Sequence, residues 1–326
     1  MLFTNLSMVV KKAGWQDWRM KMTENMAPTS IGHRLEISDK TFGELRESSR
    51  LMGNAGALRS RMEEDGYLFL RGFFRCEAVL AARADIVARL EKEGLLQPGT
   101  DPMEAIIREG RESTFRADLT GGNAALHRLL YEGRMIEFYR DYFGEPVRHF
   151  DFTWLRVVSP GKGTSPHCDM VYMGRGTREK LLTAWVPIGD APLHVGGLMV
   201  LEGSHRQSEL LRPYLKRDVD TYCVNGRHAA DIEAGRKSWE WDGSLSRNPV
   251  TLRQKLGGRW LTTDFAAGDL LTFTMHTVHA STDNRSNRLR LSSDSRYQPA
   301  SLPADERWIG EKPIGHELAG KRGRIC

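Results

Sequence analysis

The chain has 326 residues, 40% hydrophobic and 27% charged, enough apolar material for one large decorated domain or for two, which excludes a disordered chain. Its formal net charge of +5 and sequence pI near 9.0 come from Lys and Arg scattered among nearly as many acids, so no basic stripe laced with aromatics points to nucleic acid. The four cysteines, Cys76, Cys168, Cys223 and Cys326, are far apart with no CxxC pair, which argues against a zinc ribbon or a dense disulfide framework and fits a reducing cytoplasm.

In chain order, the apolar Met8-Val9-Val10 is cut short by Lys11-Lys12, which supports neither a signal peptide nor a membrane span. Residues 1–30 lack a steady period and are expected to form a tail or loosely attached segment, with Met22 and Met26 as alternative starts. Residues 31–326 then form a single domain. A helix is predicted over residues 40–64, and the first strand in Gly66-Tyr67-Leu68-Phe69-Leu70-Arg71-Gly72-Phe73-Phe74, a short aromatic run bracketed by glycines. Val79, Leu80, Ile86, Val87 and Leu90 recur at helical spacing over residues 77–93, with Gly94 as a stop. A second amphipathic helix is predicted over residues 124–143, ended by Gly144 and Pro146.

From about residue 147 short β-rich runs alternate with Gly, Pro, Asp and Asn clusters: 152–158, 181–188, 198–201, 270–277 and 289–297. Helices first and many short strands afterwards predict a mainly β fold with flanking helices packed on one face of a jelly roll, its core at about 147–300. Residues 206–258, polar, Arg-rich and Trp-bearing, exceed an ordinary loop and read as a lid-like or substrate-gripping insertion.

In Ser165-Pro166-His167-Cys168-Asp169, an extended strand would project His167 and Asp169 from one face, so that two ligands converge while Cys168 points away. A third ligand must come from elsewhere, and His276 and His279 in Thr274-Met275-His276-Thr277-Val278-His279-Ala280-Ser281 are the candidates. Two histidines with one carboxylate make the facial triad that leaves iron positions open for oxygen chemistry. Arg290 stands eleven positions beyond His279, on a run that puts Leu289, Leu291 and Ser293 on one face and Arg288, Arg290, Ser292 and Asp294 on the other. A cationic face turned inward needs an anion, and a guanidinium fork suits a carboxylate; a solvated sheet face is the plain alternative. His127, His194 and His205 read as structural, and Trp239, Trp241 and Trp260 either wall a pocket or anchor the insertion.

Taken together, the 66–74 segment, the His167/Asp169 pair, Thr183-Ala184-Trp185-Val186-Pro187-Ile188, Gly196-Gly197-Leu198-Met199-Val200-Leu201-Glu202-Gly203-Ser204-His205 and Gly268-Asp269 leading to His279, Ser281 and Arg290 resemble the phytanoyl-CoA dioxygenase family of Fe(II)/2-oxoglutarate oxygenases, from about residue 65 to 297. The resemblance implies a double-stranded β-helix (jelly roll, cupin-like), one oxygenase domain, and iron held by His167, Asp169 and His279, the last preferred to His276 for its spacing to Arg290 and because Ser281 shares its face. It implies that Arg290, in preference to Arg288, and Ser281 bind the distal carboxylate of 2-oxoglutarate, that Trp185 lines the cosubstrate pocket, and that Arg116 faces the cosubstrate. Thr183 shares the face of Trp185 and points into the barrel or packs. The implied reaction uses dioxygen to hydroxylate an unactivated C–H bond of a small molecule while 2-oxoglutarate is decarboxylated to succinate and carbon dioxide, and Asp169 favours hydroxylation over halogenation. Arg175, Arg178 and Arg206 near the expected mouth suit an anionic substrate or a solvated surface. An iron oxygenase not using 2-oxoglutarate and a noncatalytic metal- or ligand-binding cupin-like protein remain as alternatives; neither nucleic acid nor membrane is expected as a partner.

Overall fold

A computed structural model describes residues 27–326, so the alternative starts Met22 and Met26 and most of the expected tail lie outside the described residues. The described chain opens on β1 (Thr29–Ser30) and β2 (His33–Arg34), followed by β3 (Phe42–Glu44), the helix Ala55–Asp65 and β4 (Tyr67–Leu70). Helices Cys76–Lys92, Ala124–Tyr131 and Gly133–Phe143 come next, then β5 (Val147–His149), β6 (Trp154–Val158), β7 (Leu182–Pro187) and β8 (Leu198–Leu201). The chain continues through β9 (Thr221–Cys223), β10 (Trp260–Thr262), β11 (Leu270–Thr274), β12 (His279–Ser281), β13 (Arg290–Pro299) and β14 (Arg322–Arg324).

Period-2 alternation sorts these strands into layers. The large sheet runs β4-β11-β7-β13, with β5 and β6 both paired to β13; the small sheet runs β12-β8-β10-β3. On the large sheet Leu182, Ala184, Val186, Leu291 and Tyr297 face the helices, where they meet Ile86, Leu90, Leu130 and Tyr139. Tyr139 stacks on Tyr297 at 4.2 Å between ring centroids, and its hydroxyl lies 2.7 Å from that of Thr272. The alternate residues, Trp185, Leu271 and Phe273, meet Leu198, Val200 and Leu261 of the small sheet in a second core between the sheets.

Several local expectations are corrected. Residues 29 and 30 are fastened rather than loose: the Ser30 hydroxyl donates to the Ser281 carbonyl (2.8 Å), and the amides of Ile31 and Gly32 donate to the Asp283 carboxylate (2.7 and 2.9 Å). The helix expected over 40–64 is confined to Ala55–Asp65, because Phe42 is drawn into the core and its strand pairs in parallel with β10. The first strand is therefore not the 66–74 run. That helix starts where the Asn54 side chain accepts from the Ala57 amide and stops at Gly66, whose φ of 78° lets the chain turn under His205, where a Cβ would lie 2.3 Å from Nδ1. The single helix expected over 124–143 is two, broken where Glu132 is extended and Gly133 takes φ 48°. Leu80, assigned to a buried face, is 37% exposed.

The 206–258 insertion carries its own structure, with helices Ser208–Leu215, Ala229–Glu233 and Pro249–Leu256 beside β9. β9 pairs in parallel with β14, and Cys223 and Cys326, 103 residues apart, form a disulfide with 5.5 Å between Cα atoms. The sequence argued only against a dense disulfide framework, and its cysteine spacing carries no sign of this single contact. Cys76 and Cys168 are free. Among the described residues no helix is long and apolar enough to cross a membrane.

Candidate metal centre

The two histidines meet through the backbone. His167, itself outside any named strand, bridges His279 at the start of β12, each amide donating to the other's carbonyl (3.0 and 2.9 Å), so the imidazoles leave one edge together with 4.2 Å between ring centroids. The segment before His279 is pinned from two sides: the Thr277 hydroxyl donates to the Gly66 carbonyl (2.8 Å) and the Val278 amide to the Ser204 hydroxyl (2.9 Å). This gives the Gly-Ser-His run after β8 a structural task. Asp169 arrives differently from the strand alternation expected of it. Its φ and ψ of −66° and −19° start the helical turn Met170–Met173, and that turn swings the carboxylate beneath the rings. Cys168, between the ligands, faces the small-sheet core as expected.

The donor atoms converge. Asp169 Oδ1 lies 3.7 Å from His167 Nε2 and 3.6 Å from His279 Nε2, and one atom from each of the three residues falls within 4.8 Å of the others. His167 Nδ1 donates to the Ser165 carbonyl (2.7 Å) and His279 Nδ1 to the Thr277 carbonyl (3.0 Å), which fixes both tautomers with Nε2 as the free lone pair. Burial pushes His167 down to about 3, with the neighbouring His279 adding to the effect, and burial lowers His279 too, so both rings are neutral near pH 7. Burial opposes ionisation of Asp169, but the Arg296, His279 and His167 charges and the Thr183 hydrogen bond together hold it well below the usual carboxylate range.

The second oxygen of Asp169 is held apart from this focus. Oδ2 accepts from the Thr183 hydroxyl (2.5 Å) and from Arg296 Nη2 (2.8 Å), leaving Oδ1 toward the imidazoles. Thr183 does point into the barrel, but its partner is the ligand carboxylate rather than a cosubstrate. Sequence reasoning missed Arg296, although it lies on the same face of β13 as Arg290, three alternations further along. It is 2% exposed, and its guanidinium covers the Trp154 ring at 4.1 Å. Arg296→Met and Thr183→Val are expected to weaken divalent-metal affinity by about 10- to 100-fold each, measured by Co(II) titration, because the carboxylate loses the contacts that orient it.

Beside the triad a narrow cavity is lined by Trp185, Leu198, Ser281, Arg290, Asp294 and Arg296. Arg290 is 2% exposed; Nη1 reaches the Ser292 hydroxyl (3.2 Å), while Nε and Nη2 are buried with no protein partner. Burial, then the nearby Arg156 cation, pull its pKa down to about 10. A fork of unpaired donors in a desolvated place fits a carboxylate. The Ser281 hydroxyl accepts from the Thr164 amide (2.8 Å) and keeps its own proton to donate. Arg288, the rival, is exposed and 3.5 Å from Glu104.

The sequence model of the phytanoyl-CoA dioxygenase (PhyH) family matches residues 62–292. The chain belongs to this family. It is thereby an oxygenase with a His-Asp-His metal-binding site. It is 25% identical over 274 residues to 1-deoxypentalenic acid 11-beta-hydroxylase of Streptomyces arenae, covering 80% of this chain and 87% of the relative, and 24% identical over 278 residues to the protein of that name from Streptomyces exfoliatus, with the same coverage. In fold it resembles the carbocyclase SnoK from nogalamycin biosynthesis (TM-score 0.54, 20% identity, 80% of this chain and 90% of that one). It also resembles EctD from S. alaskensis, solved with 2-oxoglutarate and 5-hydroxyectoine (TM-score 0.51, 16% identity, 90% and 94%).

Within this PhyH-family chain some residues fall elsewhere than expected. Arg116 does not face the cavity: Glu93 takes both terminal nitrogens (2.7 and 2.8 Å) and Asp118 takes Nε (2.9 Å), so no donor edge is left for a cosubstrate. Arg175 is bound to Asp218 (2.6 Å) and the Gly320 carbonyl (2.8 Å), whereas the exposed Arg178 and Arg206 each give one nitrogen to a backbone carbonyl, that of Gly174 (2.7 Å) and that of Glu64. Trp260 is buried in the small-sheet core and Trp241 and Trp239 pack against it, Trp239 also lining an open cavity.

Proposed function

We propose that the chain is an Fe(II)- and 2-oxoglutarate-dependent oxygenase that hydroxylates an unactivated C–H bond of a small molecule, built as one domain on a double-stranded β-helix with the 206–258 insertion as its lid. The observation that carries this reading is the convergence of His167, Asp169 and His279 beside a buried guanidinium with two unpartnered nitrogens. Iron with 2-oxoglutarate and dioxygen would supply the oxidising power: 2-oxoglutarate loses carbon dioxide and takes up one oxygen atom to become succinate, and the other oxygen atom enters the C–H bond of the product. The naming of two relatives as hydroxylases supports hydroxylation as the outcome.

The protein's own residues orient and enclose. His167 Nε2, His279 Nε2 and Asp169 Oδ1 would hold the metal, three protein donors being few enough to leave room for cosubstrate and dioxygen. Thr183 and Arg296 keep Asp169 ionised and turned to present a single oxygen. Arg290 and Ser281 grip the distal carboxylate of 2-oxoglutarate, and Trp185 walls its carbon chain. The lid is tied to the ligand segment: the Tyr214 hydroxyl accepts from the Cys168 amide (3.0 Å) and donates to the Gly243 carbonyl (2.8 Å), and the Leu245 amide donates to the Pro166 carbonyl (2.8 Å). These ties hold the insertion against the segment that carries His167 and Asp169.

Incubation of the Fe(II)-loaded protein with 2-oxoglutarate and air is expected to release succinate slowly, and faster when a substrate is present. Absence of iron-dependent succinate formation with every compound supplied would overturn the reading.

A further inference from the structure

A cavity of about 280 Å³ opens at His167 between Thr114, Phe115 and Tyr172. Phe115 is also a wall of a second cavity of about 520 Å³, formed where residues 232–239 of the insertion and the segment 308–321 close over the β6 end of the large sheet. Its principal surfaces are the rings of Phe115, Phe152, Trp154, Trp239 and Trp308, joined by Ile314. Tyr172 stands between the two spaces, its ring 5.5 Å from that of His167 and 6.3 Å from that of Trp239.

Inside its rim the polar groups of this chamber are almost all committed. Lys321 Nζ and His316 Nδ1 both bind the buried carboxylate of Asp220, and the Lys321 ammonium lies 4.7 Å from the Trp239 ring centroid. Ser238 and Glu317 are exposed and Lys237 half-buried at the rim. The Trp308 indole N–H is the exception, buried without a partner. A space of this size, walled by aromatic rings and offering one spare buried donor inside its polar rim, matches a ligand that is mostly hydrocarbon.

We propose that this chamber is the substrate pocket, and that the substrate is a largely hydrocarbon molecule, ring-bearing or branched, whose apolar body lies against Trp154, Trp239 and Trp308 while one carbon reaches past Phe115 and Tyr172 to the metal centre. A single acceptor oxygen on that body would meet the Trp308 N–H. This names the substrate class for the oxygenase reading and rests on it.

The test separates the two ideas. Metal-free protein is titrated with N-phenyl-1-naphthylamine, a neutral aromatic probe, and its tryptophan-sensitised fluorescence is followed. Saturable binding is expected, weakened about tenfold or more by Ile314→Trp and by Leu318→Trp, which fill the chamber from positions already partly exposed, and unchanged by Leu210→Trp on the insertion's exterior. In the Fe(II)- and 2-oxoglutarate-loaded protein, terpenoid and polycyclic hydrocarbon derivatives are expected to accelerate succinate release, and amino acids or sugar phosphates are not. Probe binding that is non-saturable or indifferent to both fillings, or acceleration by the polar compounds alone, would overturn the proposal. Chamber-dependent probe binding without any succinate would uphold it as a hydrocarbon site and sink the oxygenase reading instead.

Discussion

His279→Ala abolishes metal binding and succinate formation together, whereas His276→Ala leaves both within about twofold of the parent, since the half-buried His276 meets the site through its backbone alone. The two histidines are three residues apart, and the sequence preferred His279 for its spacing to Arg290 and the face it shares with Ser281. The bridge between His167 and His279 decides between them, because it sets both imidazoles on one edge with Asp169 Oδ1 3.6 to 3.7 Å from each Nε2. His276 contributes its carbonyl, which accepts from Cys168 Sγ at 3.3 Å, and alanine keeps that carbonyl. Isothermal titration with Co(II), beside a succinate assay, reads both variants. An inert His276 variant and a dead His279 variant are the required pair.

Arg290→Met should produce two opposite effects. Binding of 2-oxoglutarate weakens by about 100-fold, roughly 3 kcal/mol, because a charge-assisted pair to the carboxylate is lost. The metal-free protein, in contrast, becomes more stable: Arg290 is 2% exposed, two of its nitrogens have no protein partner, and its lowered pKa reports the cost of burying the cation. A methionine fills much of the same volume without that desolvation. Thermal unfolding of metal-free protein without 2-oxoglutarate should show a higher Tm for the variant, and the KM for 2-oxoglutarate should rise. A lower Tm with unchanged KM would mean that Arg290 is a structural cation.

Much of this site was legible because strand alternation converts sequence parity into a face. Arg290, Ser292 and Asp294 do turn inward and Leu289 and Leu291 do meet the helices, and Trp185 lies where its parity with Thr183 placed it. Parity also held the signal for Arg296, which went unused because the inward cation was matched only to a cosubstrate and not to the carboxylate of Asp169. The role of Thr183 was hidden for a related reason: Asp169 leaves the strand on a helical turn, and only that turn brings its Oδ2 to β7. Arg116 was misplaced because a lone arginine does not reveal its acids, and Glu93 is 23 residues away. β3 is three residues long, too short for alternation to outweigh the helical pattern around it, and the pairing of Cys223 with Cys326 depends on where the insertion and the last strand meet.

The central claim is that His167, Asp169 and His279 hold a metal to which 2-oxoglutarate adds beside Arg290. Anaerobic titration of the Fe(II)-loaded protein with 2-oxoglutarate, followed in the visible spectrum, tests it without any knowledge of the substrate. A saturable metal-to-ligand charge-transfer band is predicted in the parent, displaced to higher 2-oxoglutarate concentration in Arg290→Met and absent in His279→Ala. A parent that binds iron but never develops the band, or a His279→Ala variant that develops it unchanged, would contradict the account.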